Sequence, residues 1–219
     1  MMLLETLPVR RRVRRLAATA LAAALALAGS AALAEGDAAA GEQLAAACAA
    51  CHGADGNTPL LPEYPKLGGQ NAKYMLAQLR MIQSKEREIA LMAGQLDNMS
   101  DDDLKDLAAY YASLAAPRGA AEGDDETLLR AEMLYRGGDL DRKIAACTAC
   151  HSPRGNGNSL AGFPAISGQS AAYTIAQLTA YREGTRATDE AYGGMMRGVA
   201  AKLKDHEIKA LADLLQGLQ

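Results

Sequence analysis

The chain holds one short pattern twice: Cys48-Ala49-Ala50-Cys51-His52 and Cys147-Thr148-Ala149-Cys150-His151. These segments contain all four cysteines and two of the three histidines. Cys-x-x-Cys-His is the attachment pattern of a c-type haem. Two thiols at that spacing reach the two vinyl groups of one porphyrin. The adjacent histidine is then held against one face of the iron. Each copy must therefore fold around a large flat group. Three other readings of the cysteines are weaker. Two disulfides would leave the repeated histidine without a purpose. A four-thiolate zinc site would leave both histidines unexplained. A thioredoxin-like redox motif needs a βαβ context, and nothing in the sequence reads as strand.

The surrounding sequence repeats as well. Adding 99 maps Cys48, Cys51 and His52 onto Cys147, Cys150 and His151, and Tyr64-Pro65 onto Phe163-Pro164. The same offset maps Gly69-Gln70 onto Gly168-Gln169, Tyr74 onto Tyr173 and Gln78-Leu79 onto Gln177-Leu178. Farther on the offset becomes 104, pairing Met92 with Met196, Leu104 with Ile208 and Leu107 with Leu211. The five extra residues fall within 182–194. Two copies with so long a period are tandem domains, not a solenoid. We expect domains at 35–115 and 126–219, joined by a Pro/Gly/acidic linker at 116–125.

The copies read as all-α. Asn71 and Ser170 stand where N-caps would open helices with apolar residues three to four apart. Ser100-Asp101-Asp102-Asp103 signals the last helix of copy one, placing acids at its positive end. Its stripe of Leu104, Leu107, Ala108 and Tyr111 recurs as Ile208, Leu211, Ala212 and Leu215. With no Trp and one Phe in 219 residues, these small domains are short of core material. A porphyrin in each would supply it.

Residues 1–34 read as an export signal: a basic block at Arg10–Arg15, an Ala/Leu-rich run, and Ala32-Leu33-Ala34 as a small-x-small cleavage site. An uncleaved anchor is the rival reading, but the run is Ala-dominated and weakly apolar for a bilayer span. Without this segment 18 basic and 25 acidic side chains remain, net −7. The charge is uneven: residues 35–116 carry net −6 and residues 117–219 net −1. That balance argues against nucleic acid. It suits docking to a basic patch on a redox partner, where charge sets orientation and on-rate.

A haem iron held by histidine needs a ligand on its other face. His206 is the only histidine left for two sites, and the repeat aligns it with Asp102 on a polar face. Methionine is the alternative. Met75 and Met81 lie within a helix and read as packing residues. Met99 aligns with Leu203, which cannot ligate iron. Met195 aligns with Leu91, read as another packing position. Met92 and Met196 align with each other and are the candidate ligands opposite His52 and His151. A soft thioether favours ferrous iron and raises the reduction potential. With both axial positions filled, the chemistry is electron transfer, not catalysis.

The paired haem motifs, the Pro-x-(Leu/Ile)-x-Gly-Gln-x-x-x-Tyr-x-x-x-Gln-Leu blocks at 65–79 and 164–178, Met92 and Met196-Arg197-Gly198-Val199-Ala200 together resemble the dihaem cytochrome c4 family over 37–219. The resemblance implies two class I cytochrome c domains packed face to face with the haem propionate edges near the interface. It also implies a periplasmic carrier between a cytochrome bc-type donor and a haem-copper terminal oxidase, loosely attached to the membrane. Pro65 and Pro164 would offer carbonyls to the ring N–H of His52 and His151. Gln70, Tyr74, Gln169 and Tyr173 would lie near the propionates, unless they serve only in capping and packing. The 83–90 segment before Met92 is short for the family. The rival function is a dihaem electron-accepting subunit of a larger oxidoreductase, such as a sulfide-oxidising flavocytochrome. A dihaem peroxidase would need an open or His-ligated iron, which a methionine in both copies opposes.

Overall fold

A computed structural model describes residues 36–219; the export signal read over 1–34 lies outside the described residues. Nine α-helices are present among them. Copy one contributes α1 (Ala38–Leu44), α2 (Ala49–His52), α3 (Ala72–Gln83) and α4 (Asp101–Ser113). Copy two contributes α5 (Asp125–Gly137), α6 (Thr148–His151), α7 (Ala171–Glu183), α8 (Met195–Ala200) and α9 (Asp205–Gly217). The described residues form no strands, only isolated bridges at Asp139–Ile144 and Asn158–Phe163. The all-α reading and the tandem arrangement both hold.

Capping shows why the helices start where they do. The Asp37 carboxylate accepts from the N–H of Ala39 and Ala40. The Asn71 side chain accepts from Lys73 and Tyr74. Ser100 and Asp103 satisfy each other's backbone N–H in a capping box, as expected at a helix opening. Ser170 departs from expectation. It occupies the N-cap position of α7, but its hydroxyl makes no cap bond. It donates instead to the Pro62 carbonyl of copy one, because the two copies meet at this point.

Each copy has its own core. In the first, Leu104, Leu107, Ala108 and Tyr111 of α4 are at most 3 % exposed and pack with Met75, Leu76 and Leu96. In the second, Ile208, Leu211 and Leu215 of α9 pack with Leu134, Tyr135, Ile144 and Leu203. Burying each large side chain stabilises by about 1.5–3 kcal/mol. Gly41 allows α1 to cross close over α4: a Cβ there would lie 2.1 Å from the Asp106 carbonyl oxygen.

The segment between α4 and α5 is laid down along the molecule and fastened to α9. Asp213 accepts from the N–H of Glu122 and Gly123, and Gln216 donates to the Ala120 carbonyl. The joint between the copies is symmetric. Gln70 donates to the Ala165 carbonyl at 2.9 Å and accepts from the Ala165 N–H at 2.9 Å. Its repeat partner Gln169 does the same with Lys66, at 3.0 and 2.9 Å. Lys66 and Ala165 are themselves 99 residues apart. Each side-chain amide thus pairs with one peptide unit of the other copy.

Four such bonds, each contributing about 1 kcal/mol net, make the joint worth a few kcal/mol. The double variant Gln70→Ala/Gln169→Ala is expected to lose about 2–4 kcal/mol. Calorimetry should then resolve two unfolding transitions where one is expected for the parent protein. A single unshifted transition would show that the amides do not hold the copies together.

Candidate haem-attachment sites

Each Cys-x-x-Cys-His segment folds into a single helical turn. His52 N–H donates to the Cys48 carbonyl at 3.0 Å and His151 N–H to that of Cys147 at 2.9 Å. Residues i, i+3 and i+4 of such a turn share one face, so both thiols and the imidazole project together. The chain then leaves at positive φ: Gly53 has φ 81 and ψ 149, and Ser152 has φ 69 and ψ 162. That region is open almost only to glycine, so Ser152 carries strain that Gly53 does not.

The loops that follow return to the histidines. His52 Nδ1 lies 3.0 Å from the Pro65 carbonyl oxygen and His151 Nδ1 lies 2.9 Å from that of Pro164. A carbonyl only accepts, so Nδ1 carries the proton and Nε2 keeps a bare lone pair. The histidines are 8 % and 7 % exposed. Burial lowers their pKa, against the opposing effect of the proline carbonyls. Both imidazoles are therefore neutral at neutral pH, the form that binds a metal.

None of the four cysteines is in a disulfide, and one pair lies in each copy. Among the described residues no group of three or more His, Cys, Asp or Glu gathers as a metal site, so the four-thiolate alternative is not formed. Cys48 and Cys147 pack against the first and second cores, while Cys51 is exposed. Burial raises the Cys48 pKa and pushes Cys147 up to about 11. The surroundings of the two sites differ in their tyrosines. Tyr111 lies beside the Cys48 thiol in copy one, where copy two has Leu215. In copy two the buried Tyr135 hydroxyl donates to the Ser152 carbonyl at 2.7 Å. Paired thiols at a core edge beside a neutral imidazole with a free Nε2 fit a covalent porphyrin.

The methionines are placed unequally. Met92 is half-buried and packed against the first core. Met196 is half-buried at the start of α8. Met75 is buried, and Met99 packs against the first core. Leu91 and Met195, expected to pack, are instead 68 % and 41 % exposed. They occupy the outer side of the same short turns that carry Met92 and Met196. His206 is exposed.

Gln70 and Gln169 form the joint described above. Tyr74 and Tyr173 bond to two arginines absent from the sequence reading. Arg186 donates to the Tyr74 hydroxyl at 2.9 Å and Arg87 to that of Tyr173 at 3.2 Å. The signal for these arginines was available, since 87 and 186 also differ by 99.

A family model described as cytochrome c matches residues 38–115 and again 142–219. Together with the two attachment turns, this defines the chain as a c-type cytochrome with two covalently bound haems, an electron-transfer protein and not an enzyme. Cytochrome c4 of Stutzerimonas stutzeri is 48 % identical over 194 residues, covering 84 % of this chain and 90 % of the relative. That of Azotobacter vinelandii is 46 % identical with the same coverage. The crystal structure of reduced recombinant cytochrome c4 from Pseudomonas stutzeri superimposes with a TM-score of 0.80 at 47 % identity, over 84 % of this chain and 100 % of that one. The thiosulfate dehydrogenase electron acceptor of Stutzerimonas stutzeri is 37 % identical over 77 % of both chains. The chain belongs to the cytochrome c4 family.

Because the sites lie on separate cores, attachment at one should not depend on the other. Cys147→Ala is expected to leave the first haem in place and to weaken or abolish maturation of the second, read as close to one haem per chain by pyridine haemochrome. Loss of both haems would show that the copies mature together.

Proposed function

We propose that this chain carries single electrons between respiratory partners in the periplasm, with His52 and Met92 binding the first iron and His151 and Met196 the second. One observation carries the ligand assignment. In each copy a buried histidine with a bare Nε2 is followed, at the repeat-equivalent position, by a half-buried methionine whose neighbour points outward. His/Met ligation fills both axial positions and favours the ferrous state, which suits a high-potential carrier.

The partners in this reading are a cytochrome bc-type donor and a haem-copper oxidase, with peripheral association at the membrane and no nucleic acid. Net charge of −6 over residues 35–116 supports docking against basic surfaces. Among the described residues no helix is long and apolar enough to cross a membrane. A second reading, as electron acceptor for a sulfur-oxidising enzyme, draws on the thiosulfate dehydrogenase electron acceptors, 37 % identical to this chain in two organisms.

Met92→Ala is expected to keep both haems, because the thioethers do not involve the sixth ligand. It should lower the potential of one haem and remove half of the methionine-to-ferric-iron absorption in the far red. An unchanged potential refutes Met92 as ligand. Stopped-flow oxidation by a haem-copper oxidase, set beside reduction by a thiosulfate dehydrogenase, separates the two partner readings.

A further inference from the structure

The five extra residues of copy two fall just before Met196. Four residues separate Arg87 from Met92, and nine separate Arg186 from Met196. The longer segment is built into the fold. Thr188 and Asp189 are 6 % and 4 % exposed. The Thr188 hydroxyl accepts from Arg186 Nε at 3.0 Å and lies 3.2 Å from the Tyr181 hydroxyl of α7. The Tyr192 ring packs on Phe163 with centroids 5.8 Å apart, and its hydroxyl donates to the Ala161 carbonyl at 3.4 Å. The segment is thus fastened to α7 on one side and to the loop that carries Pro164 on the other.

From this base the buried Asp189 carboxylate grips residue 197 twice. Oδ2 accepts from the Arg197 backbone N–H at 2.9 Å and Oδ1 from its Nε at 2.7 Å. Glu190 accepts from the same guanidinium. A buried carboxylate is costly unless paired in this way, and removing one partner strands the other. Helix α8 depends on the grip. Six residues make a marginal helix, and its N-cap, Gly194, has no side chain to cap it. Asp189 supplies the missing acceptor and puts negative charge at the positive helix end. At the other end Val199 packs against the second core and Ala200 is fully buried. Met196 lies between these two anchors.

Met92 has a lighter hold. Its turn, Ala90–Met92, is a single round of 3-10 helix. Met92 N–H donates to the Ile89 carbonyl at 2.9 Å and Ala93 N–H to that of Ala90 at 3.3 Å. Ala90, Leu91, Ala93 and Gly94 are all exposed. Ala93 stands where copy two has Arg197, and an alanine cannot form such a pair.

We propose that Asp189 and Arg197 are positioning residues for Met196, so that the second iron keeps its methionine while the first exchanges Met92 for small neutral ligands such as imidazole. The inference rests on the methionine assignment made above. The exchange is a substitution: one iron–sulfur bond breaks, one iron–nitrogen bond forms, and no electron is gained or lost. The incoming ligand takes the thioether's place, so the segment bearing the methionine must withdraw. The exposed turn of copy one withdraws by giving up a few backbone bonds. In copy two withdrawal must also break the Asp189 pair.

The test is imidazole titration of the oxidised two-haem protein, followed by the far-red methionine band. The band is expected to fall in two equal steps, the second at about tenfold or more higher imidazole, the difference that one charged hydrogen-bonded pair supports. Met92→Ala should remove the low step and leave the high one. Arg197→Ala gives copy two the residue of copy one, and should bring the high step down by about tenfold with the low step unmoved. Arg197→Lys keeps the charge but not the fork and should lower the high step by less. Where Arg197→Ala yields no two-haem protein, Asp189→Asn, which keeps the shape and loses the charge, should move the same step. A single step in the parent protein overturns the proposal, as does a high step unmoved by these variants. A halved band in Met92→Ala that titrates at the low step overturns it with the ligand assignment intact. A full band in Met92→Ala refutes that assignment, and the proposal with it.

Discussion

A porphyrin bonded twice to the chain within four residues, and gripped by the very next side chain, leaves the backbone little choice. The thiols and imidazole must share a face, so the segment must be one helical turn. The imidazole must present Nε2, so a carbonyl must hold Nδ1. Only a chain that swings back at once can bring that carbonyl, which is why each turn ends in a residue at positive φ and a loop leading to Pro65 or Pro164. The flanking helices then close around the cofactor on cores of one aromatic and a handful of aliphatic residues. Duplication doubles this arrangement and adds one new demand, a joint.

Much of this was legible in the chain because it repeats. Attachment residues, helix stripes and the pairing of Met92 with Met196 all fall on one offset or its shifted continuation. Local chemistry was legible where side chains act within their own turn, as at Asn71 and Ser100. It failed where a residue acts across the joint. Ser170 has the chemistry of an N-cap and spends its hydroxyl on Pro62. Leu91 and Met195 are apolar and so suggested packing, yet they sit on the outer edge of turns whose inner side is taken by the next residue. No periodic pattern within a domain encodes which surface meets another domain.

The arginines illustrate the same boundary. Arg87 and Arg186 look like solvated charges in polar loops, the usual fate of such residues. Their burial follows from the meeting of two loops, neither of which buries an arginine alone. The tyrosines they touch feel it. Burial opposes ionisation of the Tyr173 hydroxyl, but the charges of Arg87 and Arg186 outweigh it and bring its pKa below the ordinary tyrosine value.

The glutamine joint binds peptide groups, not side chains. Gln70 grips the amide of Ala165 and Gln169 grips that of Lys66, so this amide pairing is the same whatever side chains stand at positions 66 and 165, while the Lys66 ammonium adds a bond of its own to the Gly168 carbonyl. One is a lysine and the other an alanine, and the geometry is the same. A duplicated protein built this way can let the electrostatic faces of its halves drift apart while their mutual placement stays fixed. The contrast between an acidic first half and a near-neutral second half can therefore arise without disturbing the four amide bonds at the seam.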